Sequence, residues 1–359
     1  MSEADINSEV AWIVRPYQEG DELRLPAFAE ESRGYGLDLD FWRWLFRDNP
    51  AGPAPIYFAD DNGRLAGHYA IVPFRLRIQG REVVACQGLE AITHPDYRRQ
   101  GIMLALARRA YADVVQEGVD LIYGFPNTSS VGGFLKHLEF DVPENLPVLV
   151  RPLDLPRLLV HQRGPGLLPR LAGPPGQWGW DRLWPLRPDA AGVTVGEVAA
   201  FPDAVDALCQ RVLAGIPNAV IRDRAFLDWR YCRHPLRRYR IYLAHRGEQL
   251  RGFCVSGRFD FKGLEIGVLL DLFGDVDDTA ALAALGSRVL LDARAEGLPA
   301  MAAIGSADSP FRPVLRRLGF RYTARTFPLV VRVIGGGLEP AGVARGEDWY
   351  VSFGDGDFV

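Results

Sequence analysis

The sequence predicts an α/β protein with a mixed sheet, built from two tandem copies of one unit of which the second is degenerate. An internal repeat, a basic strand-turn-helix and an acidic counterpart to that turn predict it. The repeat begins at Phe41-Trp42-Arg43-Trp44-Leu45-Phe46-Arg47-Asp48-Asn49-Pro50 and returns as Phe226-Leu227-Asp228-Trp229-Arg230-Tyr231-Cys232-Arg233-His234-Pro235. Both read F-x-x-W-x-aromatic-x-x-x-P. The register continues ungapped, so that Ile56, Tyr57, Ala59, Leu65 and Gly67 match Ile241, Tyr242, Ala244, Leu250 and Gly252. Eight identities fall between positions 41 and 67, where roughly two are expected from average residue usage.

The elements follow in order. A helix carries the tryptophan, and a hairpin turns at Asp61-Asn62-Gly63, or at Arg246-Gly247 in the second copy, both turn-forming sequences. The β-branched, apolar run Val83–Ile92 reads as a buried strand, and Leu104–Tyr111 carries helix formers at helical spacing. Between them lies His94-Pro95-Asp96-Tyr97-Arg98-Arg99-Gln100-Gly101-Ile102-Met103. That turn sits at a helix N-terminus, where unpaired N–H groups and the positive end of the macrodipole favour an anion and arginines add charge-assisted bonds. A strand at Leu121–Phe125 and a helix closing at Leu138-Glu139-Phe140 complete the unit. In the second copy the basic turn is replaced by Phe273-Gly274-Asp275-Val276-Asp277-Asp278, ahead of the helix Ala280–Arg294. Its carboxylates are expected to repel a pyrophosphate.

Four regions follow: residues 1–150 with the anion site, a Pro/Gly-rich connector over 151–190, the degenerate copy over 191–335, and a tail over 336–359. The connector's Trp178, Trp180 and Trp184 either cap a cleft or dock on a domain surface. At 359 residues the chain has the length of two domains. A net charge of −4 argues against nucleic acid or a membrane surface as partner. Four scattered cysteines without ligand spacing indicate neither a metal site nor a disulfide framework. The polar, acidic opening and the lack of any membrane-length apolar run lead to the expectation of a cytoplasmic protein.

At Arg98–Met103 the chain resembles the GNAT superfamily of acyl-CoA-dependent N-acyltransferases, whose pyrophosphate motif reads Q/R-x-x-G-x-G/A. Arg98 and Gly101 match, while Met103 stands where a small residue is usual. The tandem arrangement is similar to the branch holding the enhanced-intracellular-survival aminoglycoside acetyltransferases and the amino-sugar acyltransferases. The resemblance implies acetyl-CoA, or another short acyl-CoA, as co-substrate. It implies that the amides of Arg98, Arg99, Gln100, Gly101, Ile102 and Met103 hold the pyrophosphate, that Ile92 and Thr93 pair with the pantetheine arm, and that Asn127 bonds near the thiol. The family's usual proton donor is a tyrosine whose place here is Leu135; Tyr123 and Tyr97 are the candidate substitutes, with packing as the alternative role of each.

Acyl transfer to an amine needs a base, an oriented thioester and a proton for the thiolate. Glu90, in the apolar run Gly88-Leu89-Glu90-Ala91-Ile92, is the expected base. The C-terminal stretch Glu347–Val359 alternates apolar and polar residues and ends on two aspartates. In the similar aminoglycoside enzymes a terminal carboxylate enters the active site, so either Asp355, Asp357 or the Val359 carboxylate binds the substrate ammonium or the stretch is a solvated acidic tail. Trp44 recurs as Trp229 and reads as core, whereas Trp42 and Arg43 do not recur and are the substrate-side candidates. Three readings result: an N-acyltransferase acting on the primary amine of a small molecule such as an amino sugar, one acting on an amine of a protein or carrier, and a non-catalytic acyl-CoA-binding regulator. Oligomeric state is not legible.

Overall fold

The computed structural model describes residues 11–127, 130–164 and 166–356, without the side chains of residues 167–169. The first copy runs through β1 (Ile13–Pro16), α1 (Leu25–Arg33), α2 (Leu39–Phe46), β2 (Ile56–Asp61), β3 (Arg64–Ile78), β4 (Arg81–Thr93), α3 (Ile102–Gln116), β5 (Leu121–Gly124), α4 (Val131–His137) and β6 (Asp141–Pro152). Two connector helices follow, α5 (Leu155–Arg163) and α6 (Leu167–Leu183). The second copy repeats the plan: β7 (Val193–Val198), α7 (Ala204–Leu213), β8 (Asn218–Val220), α8 (Arg224–Leu227), a π turn over Asp228–Cys232, β9 (Arg240–Arg246), β10 (Gln249–Phe261), β11 (Leu264–Gly274), α9 (Thr279–Ala295), β12 (Ala300–Ile304), α10 (Arg312–Arg317) and β13 (Arg321–Val333). A short β14 (Trp349–Tyr350) lies in the C-terminal segment.

One mixed sheet joins both copies in the order β1-β2-β3-β4-β5-β13-β6-β12-β11-β10-β9-β7. The strand order is the same plan from either end, with one difference from two separate domains. The last strand of each copy has crossed over: β13 pairs with β5 of the first copy, and β6 pairs with β12 of the second. The two crossed strands also pair with each other, so the hydrophobic face is continuous and neither half closes without the other. The boundary expected at residue 150 therefore falls on a strand belonging to the other half's sheet.

The repeat identities have a packing reason. A Cβ on Gly67 would collide with Ile102 Cγ2 of α3, and one on Gly252 would lie 3.0 Å from Leu282 Cδ2 of α9, so both glycines let the helix sit close on the sheet. Trp44 and Trp229 stack at 4.8 Å with planes 16° apart. Each indole N–H donates to the other's backbone carbonyl, at 2.8 and 2.9 Å. The equivalent tryptophans thus meet on the pseudo-twofold between the copies, both buried and both satisfied.

The connector is more ordered than its composition suggests. Gly173-Pro174-Pro175-Gly176 lies inside α6, because a Cβ on Gly173 or Gly176 would press on Pro156 or Leu155 of α5 and tight helix pairing offsets the bonds the prolines lose. Trp180 donates to Gly319 O and Arg321 stacks 3.8 Å from the Trp184 ring centroid, so these two dock on the second copy. Trp178 stays exposed. Among the described residues no helix is long and apolar enough to cross a membrane.

The C-terminal segment is no solvated tail. β14 pairs with β8, which pairs with β3 of the first copy. Trp349, Tyr350, Val351 and Phe353 are buried.

Candidate functional site

The first copy's central strands part. β4 and β5 run parallel through only Ala85/Leu121, Cys86/Ile122 and Gln87/Tyr123; beyond Gln87 and Tyr123 no further pair registers among the described residues. A β-bulge drives β4 away, for the β3–β4 register shifts between His68/Ile92 and Ala70/Leu89 and Glu90 takes a left-handed φ of 51°. The bulge is locked from both sides. His68 Nδ1 donates to Glu90 O at 2.7 Å, and Arg33 of α1 holds the Glu90 carboxylate at 2.7 Å. Glu90 is therefore ion-paired, not isolated in the apolar setting expected of it.

Past the fork, the exposed turn leads into α3. Arg99 and Gly101 adopt positive φ of 66° and 78°, turning the chain so that Gly101 becomes the N-cap of a 15-residue helix without any side-chain cap. A helix start without a side-chain cap is a favourable place for an anion. Arg98 Nη2 donates to Ser32 O and Gln100 accepts from Trp12, Ile102 is buried beneath the turn and Met103 packs beside it. Ile92 and Thr93 pair with His68 and Gly67 on the β3 side. Asn127, beyond the end of β5, accepts from Ser130 N at 3.0 Å and so steadies the entry to α4.

The second copy's helix start is closed. Asp278 caps α9 through Ala281 N and binds Arg246 and Arg251 at 2.9 and 3.2 Å. Arg246 foremost holds the Asp278 carboxyl down at about 2. Asp275 pairs with Arg211. The expected repulsion by bare acids is thus replaced by occupancy, since the chain's own carboxylate sits where an anion would. The C-terminal segment also packs on β11 of the second copy: Tyr350 Oη donates to Asp271 at 2.9 Å and its ring packs on Phe273 and Phe311.

A narrow cavity of about 30 Å³ lies between the copies, on the side of the fork bearing α2. Phe41, Trp44 and Leu45 of α2, Gln87 and Leu89 of β4, Trp229, Arg230 and His234 of the second copy, and Gly354–Gly356 line it. The helical period explains why α2 presents residues 41, 44 and 45 together. It also corrects the substrate-side expectation. Trp42 faces inward against Tyr17 and Phe46 at 3% exposure, and Arg43 lies on the solvent face beside Asp40. Trp44, read as core, is buried and also walls the cavity.

Asp355 is corrected too. Its carboxylate is buried and bound by Arg222 at 2.7 Å and by Ser352 N at 2.8 Å, so it has no room for a substrate ammonium. Backbone reaches the cavity instead: Arg230 clasps Gly354 O and Gly356 O at 3.0 and 2.9 Å, and Gln87 Nε2 donates to Asp355 O. Asp357 and Val359 lie outside the described residues. Tyr123 is buried at the fork between Phe74 and Phe125, its hydroxyl without a hydrogen-bond partner among the described residues and kept protonated by burial. Tyr97 is committed elsewhere, donating to Asp61.

Burial holds His68 neutral, its pKa pushed down to about 4. The unfolded chain takes up that proton first, so stability is intact above about pH 6.5 and falls as pH drops toward 4. This one group is expected to contribute about 3 kcal/mol of that loss. Urea titrations at pH 7, 5 and 4 should show a shallower pH slope for His68→Gln than for the wild type; parallel slopes would exclude the effect.

Residues 21–142 match the acetyltransferase (GNAT) domain model. Over that segment the chain is similar to the GNAT acetyltransferase domain. The matched segment contains the turn, the fork and Tyr123. Among solved structures, the fold is similar to an Enterococcus faecalis V583 protein described as a probable N-acyltransferase, with TM-score 0.64 at 12% identity over 90% of this chain and 72% of that one. A GCN5-related N-acetyltransferase from Anabaena variabilis gives 0.64 at 11% over 90% and 73%. Saccharomyces cerevisiae N-myristoyltransferase with bound myristoyl-CoA gives 0.60 at 13% over 97% and 86%. No curated protein matches the chain in sequence.

Proposed function

We propose that the chain transfers an acetyl or short acyl group from coenzyme A to the primary amine of a small molecule, such as an amino sugar, presented in the cavity between the copies. The observation that carries this reading is the fork between β4 and β5 lying directly ahead of the uncapped start of α3. The amides of Arg98 to Met103 hold the pyrophosphate, and the pantetheine arm lies along Leu89–Thr93, where β4 has lost its neighbour. The thioester then reaches the fork beside Gln87 and Tyr123.

The neutral amine attacks the thioester carbonyl, the tetrahedral adduct collapses, and the C–S bond breaks; the proton released by the nitrogen goes to the leaving sulfur, so that amide and free thiol form. The buried Tyr123 hydroxyl, protonated and without a hydrogen-bond partner among the described residues, is suited to donate a hydrogen bond to the leaving sulfur as that proton reaches it. For the ammonium proton, Glu90 is ion-paired to Arg33, and Asp357 is the other candidate carboxylate. Deleting residues 357–359 is expected to abolish turnover while leaving acyl-CoA affinity unchanged; wild-type turnover would remove that role.

A second reading has its own support. An apolar groove of about 440 Å³ runs over the second half of the sheet, lined by Val148, Val150, Phe261, Ile266, Phe327 and Phe353 among others. Phe353 adjoins Gly354 of the cavity wall, so a longer acyl chain or an apolar acceptor has space next to the thioester. The bound myristoyl-CoA of the yeast enzyme agrees with that reading for its own chain.

A thiol-release screen crossing acyl-CoAs from acetyl to long-chain with amino sugars, polyamines, aminoglycosides and peptides tests both. Release with short donors and small amines is expected. Release only with long-chain donors favours the groove, and none at all would overturn the enzymatic reading in favour of an acyl-CoA-binding regulator.

A further inference from the structure

His234 sits in the second copy, yet it lines the cavity that serves the first. Its repeat equivalent is Asn49, and the pair shows what has changed between the copies. Asn49 Oδ1 accepts from Ala51 N at 2.9 Å; His234 Nδ1 accepts from Leu236 N at 3.2 Å, the same two-residue span at the same repeat position. Each thereby fixes the turn at its proline. The other end of each side chain differs. Asn49 Nδ2 donates to the buried carbonyl of Pro73 at 2.9 Å, a structural duty. His234 Nε2 has no protein partner among the described hydrogen bonds and is not among the buried polar atoms left unpaired.

The ring is held in place. Trp44, Phe41 and Tyr239 surround it with centroids at 4.3, 5.8 and 5.7 Å. Burial first, then the cations of Arg230, Arg237 and Arg238, push its pKa down to about 3, so the imidazole is neutral at physiological pH. Because Nδ1 accepts, the single ring proton resides on Nε2. A neutral imidazole in this tautomer is a fixed N–H donor.

We propose that His234 donates its Nε2–H to an oxygen of the acceptor and so orients the neighbouring amine toward the thioester at the fork. The cavity, at about 30 Å³, holds roughly two water-sized groups. That suits an amine and one adjacent hydroxyl or ether oxygen, with the rest of the acceptor outside. The acceptor class is therefore an amine with a vicinal oxygen, as in amino alcohols and amino sugars. This inference rests on the proposed acyltransfer, and it gives the degenerate copy a part in the reaction. Where the first copy has an asparagine that closes a turn, the second has a histidine that closes the same turn and keeps a donor in hand.

The repeat supplies the test. His234→Asn places in the second copy the residue that already fixes this turn in the first, so the Leu236 bond is retained while the Nε2 donor is lost; His234→Ala loses both. Thiol release from acetyl-CoA is measured with matched pairs of amines that differ only in the vicinal oxygen. Wild type should favour the oxygen-bearing member at least about tenfold in kcat/KM. H234N should keep the wild-type melting temperature and acyl-CoA affinity, lose that preference, and fall toward the rate seen with the deoxy amine. H234N with wild-type preference and turnover would overturn the proposal and leave His234 a turn residue. A wild type without preference for the vicinal oxygen would also overturn it. A wild type that releases no thiol with any amine would overturn the acyltransfer on which it rests.

Discussion

Arg222→Met is expected to destabilise the protein by at least about 3 to 5 kcal/mol, the cost of leaving a buried charge without its partner. Arg222 is fully buried. It binds Asp271 at 2.9 Å and Asp355 at 2.7 Å, donates to Ser352 Oγ, and lies 4.4 Å from the Tyr350 ring centroid. Burial pulls its pKa down, but the two carboxylates outweigh burial and hold the guanidinium charged. Methionine fills similar volume without charge, so both carboxylates would be left in an apolar interior. The strands are also tied through this network, since Asp271 belongs to β11 and Asp355 to the C-terminal segment, while Tyr231 donates to Asp271 from the π turn. Urea denaturation should show the loss, and limited proteolysis should cut near residues 345–356 in the variant first. Tyr350→Phe, which removes one hydroxyl from the same network, should cost about 1 to 3 kcal/mol. An Arg222→Met stability within about 1 kcal/mol of wild type would mean that the network does not hold the segment.

The second large effect concerns the cofactor. Reversing Arg98 and Arg99 to glutamate is expected to raise the acyl-CoA dissociation constant at least tenfold, given about 1.5 to 3 kcal/mol per charge-assisted hydrogen bond. Arg99 should contribute more to that loss. Arg98 already donates to Ser32 O at the end of α1, while Arg99 is exposed at the apex of the turn. Isothermal titration with acetyl-CoA reads the effect, and the same reversal leaves the buried core untouched, so the melting temperature should hold. Unaltered affinity would mean that the pyrophosphate does not sit at the start of α3.

Much of this was legible in the chain. The repeat could be counted because Trp44/Trp229 and Gly67/Gly252 are fixed by close contacts that tolerate no substitute of another size. The turn could be read because a strand, two arginines, a glycine and a helix follow one another locally. Other features depended on side chains far apart in sequence. Trp42 and Trp44 differ by two positions on one helix, and only the packing of α2 decided that one faces the interior and the other the cavity wall. Glu90 lies in an apolar run, but Arg33, 57 residues earlier, reaches it. Asp355 reads as a free acid in the sequence, yet Arg222, 133 residues away, lies against it. His234 was missed because it falls at one of the motif's variable positions; the available signal was only that Asn49 and His234 each stand directly before the repeated proline.

By itself the sequence determined that two α/β copies exist, that one has an arginine-glycine turn at a helix start, and that the other has aspartates there. These are local facts, set by residue types within a few positions of one another. Only the tertiary structure decided that the last strands trade places, that the second helix start is occupied by its own Asp278, and that the C-terminal segment packs on the second copy while walling the cavity between the two. The physical reason is that strand partners, ion pairs and cavity walls are chosen by where the chain returns in space, and a hydrophobic pattern fixes which face is buried without fixing what covers it.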